Sequence, residues 1–142
     1  MKRSGIINQP LSEAIAGLGH GDRFMLCDAG FPIPTNIQRI DLALCFGLPT
    51  MQQCIKAILD DTIVQGIEIA SEMKKDNCEG YSFIKSTFTN QEFIEVPQTQ
   101  LVEDAKSVKF IIRSGELGCY SNVIFESASG VLKFSNKYII DL

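Results

Sequence analysis

Short apolar runs that read as strands alternate along this chain with stretches whose apolar residues recur at helical spacing, and that alternation restricts it to a layered α/β fold. The clearest strand is Arg23-Phe24-Met25-Leu26-Cys27, an unbroken apolar run of the kind buried on both faces of a sheet. It is stopped by the glycine and two prolines of Asp28-Ala29-Gly30-Phe31-Pro32-Ile33-Pro34. Residues 63–70 suit a strand, 108–112 read as a strongly apolar one, 91–96 alternates, and 40–44 and 122–125 are further strands. Between them, Leu11, Ala14, Ile15 and Leu18 follow the i, i+3, i+4, i+7 stripe of a helix. Residues 49–61 put Met51, Cys54, Ile55, Ile58 and Leu59 on one helical face behind Thr50, a suitable cap. Residues 71–87 read as helical with Gly80 inside, and 99–105 as a short helix. Ile6-Ile7 reads as the start of a short strand, and Ser127-Ala128-Ser129-Gly130 as a hairpin turn before a last strand, 131–134. The expected architecture is a three-layer α/β/α sandwich with a mixed, largely parallel Rossmann-like sheet and a C-terminal hairpin. All 142 residues are expected to form a single domain, since a chain of this length can bury a core without staples.

Charge and cysteine usage narrow the function classes. The chain has 13 Lys+Arg against 17 Asp+Glu, a formal charge of −4, and no basic run, so it lacks the footprint that phosphate neutralisation requires and no nucleic-acid partner is expected. No apolar run approaches the roughly 18 residues of a membrane span, and Met1-Lys2-Arg3-Ser4-Gly5 lacks the apolar stretch of a signal peptide, so a cytoplasmic address is expected. Cys27, Cys45, Cys54, Cys78 and Cys119 are odd in number and scattered, which fits reduced thiols. With no Cys-x-x-Cys and one histidine, no metal site is expected. Without Gly-x-Gly-x-x-Gly after a strand or Gly-Lys-[Ser/Thr], nucleotide binding has no support, and the expected cofactor complement is none.

A few residues could carry chemistry. His20, in Gly19-His20-Gly21-Asp22, has the only side chain whose ordinary pKa lies near neutrality, and its flanking glycines leave the imidazole uncrowded. It suits either general acid/base work or a simple bond to a backbone carbonyl. Asp28 falls at the carboxyl end of a strand, the edge where ligands collect in open α/β sheets. There it can orient a polyol hydroxyl, share a proton with His20, or merely cap the following turn. Arg113-Ser114-Gly115-Glu116 and Tyr120-Ser121-Asn122 gather hydrogen-bonding side chains around glycines, as a sugar site or an ordinary polar loop would. Cys119 has no second histidine to activate it and reads as structural.

Taken together, Leu18-Gly19-His20-Gly21-Asp22, Cys27-Asp28-Ala29-Gly30-Phe31-Pro32-Ile33-Pro34, Arg39-Ile40-Asp41-Leu42-Ala43-Leu44, Gly47-Leu48-Pro49 and Ile112-Arg113-Ser114-Gly115-Glu116 with Tyr120-Ser121-Asn122 resemble the D-ribose pyranase family over about residues 1–134. The related L-fucose mutarotases share the Gly-His-Gly-Asp block, but the Asp-Ala-Gly-Phe-Pro-Ile-Pro and Arg-Ile-Asp blocks look like the ribose branch. The resemblance implies a cofactor-free isomerase of the cytoplasm that interconverts the β-pyranose and β-furanose forms of D-ribose, so that a kinase can use the furanose. It implies His20 as proton donor, with Asp28, Tyr120 and Asn122 binding the sugar together with a position near 98. It also implies a homodecamer with sites at subunit boundaries. Where the family tends to read His-x-x-Phe-Lys, this chain reads Gln98-Thr99-Gln100-Leu101-Val102. Gln98 can hydrogen-bond sugar hydroxyls but cannot exchange a proton near neutrality, which bears on substrate identity more than on reaction type. Residues 135–142 extend beyond the usual family end and include Tyr138-Ile139-Ile140, apolar enough to pack on a neighbour. The alternative implied by the same pocket is a non-catalytic monosaccharide-binding accessory of a sugar transport or utilisation system, or an L-fucose mutarotase.

Overall fold

Four of the five residues of strand β1 (Arg23–Cys27) are buried, because the strand lies inside a sheet covered on both faces. The computed structural model describes residues 1–130 and 139–142, and its six strands run in the order β2-β5-β1-β6-β3-β4. The others are β2 (Gln38–Asp41), β3 (Val64–Ala70), β4 (Glu92–Val96), β5 (Phe110–Arg113) and β6 (Val123–Ser127). β1 pairs in parallel with β5, β5 with β2, and β3 with β4, whereas β6 runs antiparallel between β1 and β3. The sheet is thus mixed and largely parallel, as expected. The carboxyl ends of five strands and the amino end of β6 share one edge.

Alternate side chains of the strands feed two cores. On one face Phe24 stacks between Phe110 and Phe125, with ring centroids 5.2 and 5.0 Å away. This side is covered by α1 (Gln9–Ala16), α2 (Met51–Asp61), α3 (Met73–Asp76) and α4 (Cys78–Thr87). The second face, with Met25, Cys27, Ala70, Ile111 and Ile124, is covered by α5 (Gln98–Asp104) through Leu101, together with Ala105 and Val108 just after it. The five apolar positions expected on the α2 face are all buried. At roughly 1.5–3 kcal/mol for each large side chain, this packing outweighs the capping box of Thr50 and Gln53 that sets the helix start, worth about 1 kcal/mol.

The differences from the sequence reading have local causes. Ile6-Ile7 forms no strand: Ile6 is buried and its N–H donates to the Asp61 carboxylate, while Ile7 faces outward. β2 stops at Asp41 rather than running to residue 44, because the Asp41 carboxylate accepts the Ala43 N–H and turns the chain. The helical stretch 71–87 is split at Asn77, whose side chain accepts the Gly80 N–H and caps α4. β6 continues through Ser127, so the expected turn starts later than read. The last strand expected at 131–134 lies outside the described residues.

A carboxyl is buried on an inner strand of the sheet. Glu68 on β3 is 5% exposed, and one of its oxygens meets the Arg23 guanidinium at 2.5 Å. Burial, followed by a hydrogen bond with the Asp104 carboxyl, pushes Glu68 from 4.5 up to about 7 in spite of Arg23. The folded chain therefore holds a proton that the unfolded chain has released above pH 4.5, and the associated stability is lost as pH rises through about 7. Glu68→Gln supplies Asp104 with a permanent donor. Denaturant unfolding at pH 5 and pH 8 is expected to show a drop in stability for the wild type and a flatter profile for the variant; equal slopes would contradict this assignment.

Candidate active site

Asp28 emerges at the carboxyl end of β1 and faces the amino end of its antiparallel neighbour β6, so Asn122 arrives directly beside it. The two residues bond reciprocally. The Asp28 N–H donates to the Asn122 side-chain oxygen at 2.9 Å, and the Asn122 amide nitrogen donates to Asp28 Oδ2 at 3.0 Å. Asp28 Oδ1 accepts the Gly30 N–H at 2.9 Å. Burial raises the Asp28 carboxyl above the ordinary aspartate value against these hydrogen bonds, and the nearby Glu116 charge acts in the same direction as burial. Asn122 is 1% exposed, so a carboxyl and an amide are held rigidly at the sheet edge with part of the carboxyl open to a ligand.

Tyr120 lies two residues before Asn122, half-buried, with φ +55°. A tyrosine in the left-handed region is uncommon, and here the Asn122 N–H donates to the Tyr120 carbonyl at 2.8 Å, closing a tight turn into β6. Gln98 begins α5 at the carboxyl end of β4, on the same edge. Its N–H donates to both Glu72 oxygens, at 3.1 and 3.0 Å, while its side-chain Oε1 is buried without a donor. A buried acceptor with no partner carries an energetic cost.

His20 lies elsewhere. It precedes β1, exposed, beside the carboxyl end of β6, where the Ser129 N–H donates to its Nδ1 at 3.1 Å. That bond selects the tautomer with the proton on Nε2, the nitrogen left free to donate outward. β1 alone spans about 16 Å at 3.3 Å per residue, so His20 and Asp28 of one chain stand at opposite edges of the sheet. Direct proton sharing between them within one copy, considered from the sequence, does not occur: the chain must cross the whole sheet to connect them.

Sequence reading grouped Ser114 and Glu116 with the polar side chains of this loop but missed that they fasten the edge. Ser114 Oγ donates to the Cys27 carbonyl at 2.7 Å. The Glu116 carboxylate accepts the N–H groups of Leu117, Gly118 and Met51, tying the loop before Tyr120 to the start of α2. The only available signal was a carboxylate placed before Leu117-Gly118, which does not identify its acceptor role. Cys27, next to Asp28, is no nucleophile, since burial pushes its thiol up to about 12. Among the described residues, no group of three or more His, Cys, Asp and Glu is arranged to hold a metal ion.

A six-stranded, largely parallel sheet with a carboxyl–amide pair at the carboxyl ends of its strands defines an α/β protein whose polar cluster lies at the edge where ligands collect in open sheets of this kind. The chain belongs to the RbsD / FucU transport protein family, whose model matches residues 1–131. It is 40% identical over 127 residues to the D-ribose pyranase of Levilactobacillus brevis, covering 89% of this chain and 97% of that protein. To D-ribose pyranase 2 of Rubrobacter xylanophilus it is 38% identical over 138 residues, covering 96% and 90%. Its fold matches the structure of Bacillus subtilis RbsD complexed with D-ribose at a TM-score of 0.88 and 33% identity, covering 91% of this chain and 98% of that one. The L-fucose complex of the Streptococcus pneumoniae fucose mutarotase shares the fold at a TM-score of 0.74 and 20% identity.

Proposed function

We propose that this protein is a sugar-ring isomerase that exchanges the β-pyranose and β-furanose forms of D-ribose by general acid/base catalysis. The observation that carries the reading is the reciprocal Asp28–Asn122 pair at the ligand edge, in a chain about 40% identical to proteins named D-ribose pyranase. Opening the hemiacetal removes a proton from the anomeric hydroxyl and delivers one to the ring oxygen; closure through a different hydroxyl repeats the exchange. Asp28, Asn122, Tyr120 and Gln98 hold the hydroxyls, and His20 supplies the mobile proton from Nε2.

Since His20 and Asp28 of one copy lie at opposite edges, the working site needs His20 from a second copy beside the Asp28 edge of the first. A homo-oligomer follows, with the decamer as the assembly the family resemblance favours. A shared boundary also encloses a sugar better than one open sheet edge can. The proposed location is cytoplasmic, in keeping with the absence, among the described residues, of any helix long and apolar enough to cross a membrane.

The test is saturation-transfer NMR across a panel of aldoses. Faster pyranose–furanose exchange of D-ribose is expected; binding without faster exchange would support the sugar-binding accessory, and exchange of L-fucose alone would reassign the substrate. Gln98 adds a further check. If its buried Oε1 only accepts a sugar hydroxyl, Gln98→His should change ribose affinity by about one hydrogen bond, up to roughly tenfold, and leave turnover nearly unchanged. A gain in turnover of tenfold or more, with a new titration near neutrality in the pH–rate profile, would instead place position 98 in proton transfer.

A further inference from the structure

The residue after Asp28 is gripped from two directions. The Ala29 N–H donates to the Glu116 carbonyl at 2.9 Å, and the Ala29 carbonyl accepts Arg113 Nε at 3.0 Å. Arg113 ends β5, which lies between β1 and the edge strand β2, so its guanidinium also reaches Asp41 at the end of β2. Nη1 lies 3.1 Å from Asp41 Oδ2 and 3.4 Å from Oδ1. One planar cation thus joins the carboxyl ends of β2 and β5 to the loop that carries Asp28.

We propose that Arg113, oriented by Asp41, is a positioning residue that holds the Ala29 carbonyl and thereby aims the Asp28 carboxylate at the sugar. The inference rests on the sugar-binding reading of that edge. Three further observations support it. The Arg113–Asp41 pair is about one-third exposed on both sides, with side-chain exposures of 31% and 41%, so water screens it and it adds little to stability. The bond to Ala29 comes from Nε and the bond to Asp41 from Nη1, two donors fixed in one plane, a geometry that the single ammonium of lysine cannot reproduce. Asp28 is tied through its side chain to Asn122 and to the backbone N–H groups of Gly30 and Phe31, and the Gly30 N–H shares a peptide group with the gripped Ala29 carbonyl, so any swing of that peptide pulls on the carboxylate directly. A misplacement of about 1 Å at a reacting or binding group can cost as much as a hundredfold.

The experiment uses Arg113→Lys and Asp41→Asn in the full-length protein, with three readouts: ribose affinity and exchange by NMR, thermal unfolding, and the titration of the Asp28 carboxyl carbon followed without sugar. Arg113→Lys keeps the charge, so a changed titration reports a moved carboxyl. The expected result is at least a tenfold loss of ribose affinity, an Asp28 titration shifted towards ordinary aspartate as the group gains solvent, and a Tm within about 3 °C of wild type. Asp41→Asn should shift both readouts the same way but less, and adding it to Arg113→Lys should cost nothing more, because the two act through one contact. Unchanged affinity overturns the proposal whatever the titration does. Lost affinity with an unmoved Asp28 titration also overturns it, by making Arg113 a direct sugar contact. Should the wild type bind no aldose, the sugar reading fails by itself, and the titration of Asp28 in the two variants still decides whether Arg113 positions it.

Discussion

Replacing His20 by alanine is expected to slow sugar-ring exchange by about 10²–10⁴, the usual worth of a positioned acid/base group, with ribose affinity largely kept. Stability should change by no more than about 0.5 kcal/mol, since the ring is exposed and the Ser129 N–H it accepts can turn to water. The placement of His20 and Asp28 at opposite ends of β1 makes a sharper version possible. His20→Ala and Asp28→Ala should each be inactive alone. Co-expressed, they should recover activity at about a quarter of the boundaries, those where random assortment places an intact His20 against an intact Asp28. Exchange-rate measurements on purified mixed oligomers check this. No recovery in mixed oligomers, or full activity from a strictly monomeric species, would rule out a site shared between copies.

The second large effect is expected at Gly115. Its backbone passes so close to residues 47–49 that a Cβ there would press into the Leu48 carbonyl group and come within 2.6 Å of the Leu48 nitrogen. Backbone, unlike a flexible side-chain end, cannot step aside without moving what it is bonded to. The Gly115 N–H donates to the Pro49 carbonyl and its carbonyl accepts the Gly47 N–H, at 2.8 and 2.7 Å. Gly115→Ala is therefore expected to cost about 1–3 kcal/mol or more, a fall in Tm of roughly 4–12 °C. It should also weaken ribose binding at least tenfold, because the displaced loop carries Glu116, whose carbonyl holds Ala29 and whose carboxylate holds Met51. Thermal melts and NMR titration test both parts. A melting point within about 2 °C of wild type, with normal binding, would show that residues 47–49 yield freely.

How much of this was legible in advance depended on the range of each interaction. The β1 strand, the buried stripe of α2 with its Thr50 cap, and the mixed, largely parallel sheet all follow from patterns spread over a few residues, where burial and periodicity coincide. The split of 71–87 at Asn77 and the stop of β2 at Asp41 were missed because each turns on a single side chain capturing a nearby N–H, a choice the apolar pattern does not record. Asp28, Tyr120 and Asn122 could be singled out as polar residues near element ends, and Gln98 only through the family resemblance. Their placement along one edge required the strand order, which sets β6 antiparallel beside β1 and so Asn122 beside Asp28, with Gln98 three strands away at the end of β4.

By itself, then, the sequence determined which residues are apolar and at what spacing, hence the elements and the layered class, and which side chains have the chemistry for proton exchange and hydroxyl binding. The tertiary structure decided which of them meet. Asp28 and Asn122, 94 residues apart, form a hydrogen-bonded pair, whereas His20 and Asp28, eight apart, are separated by the width of the sheet. The physical reason is that local pattern reflects burial along a chain, while a site depends on which strand ends the hydrogen-bonded ladder brings side by side, and that is set by pairing across the whole fold.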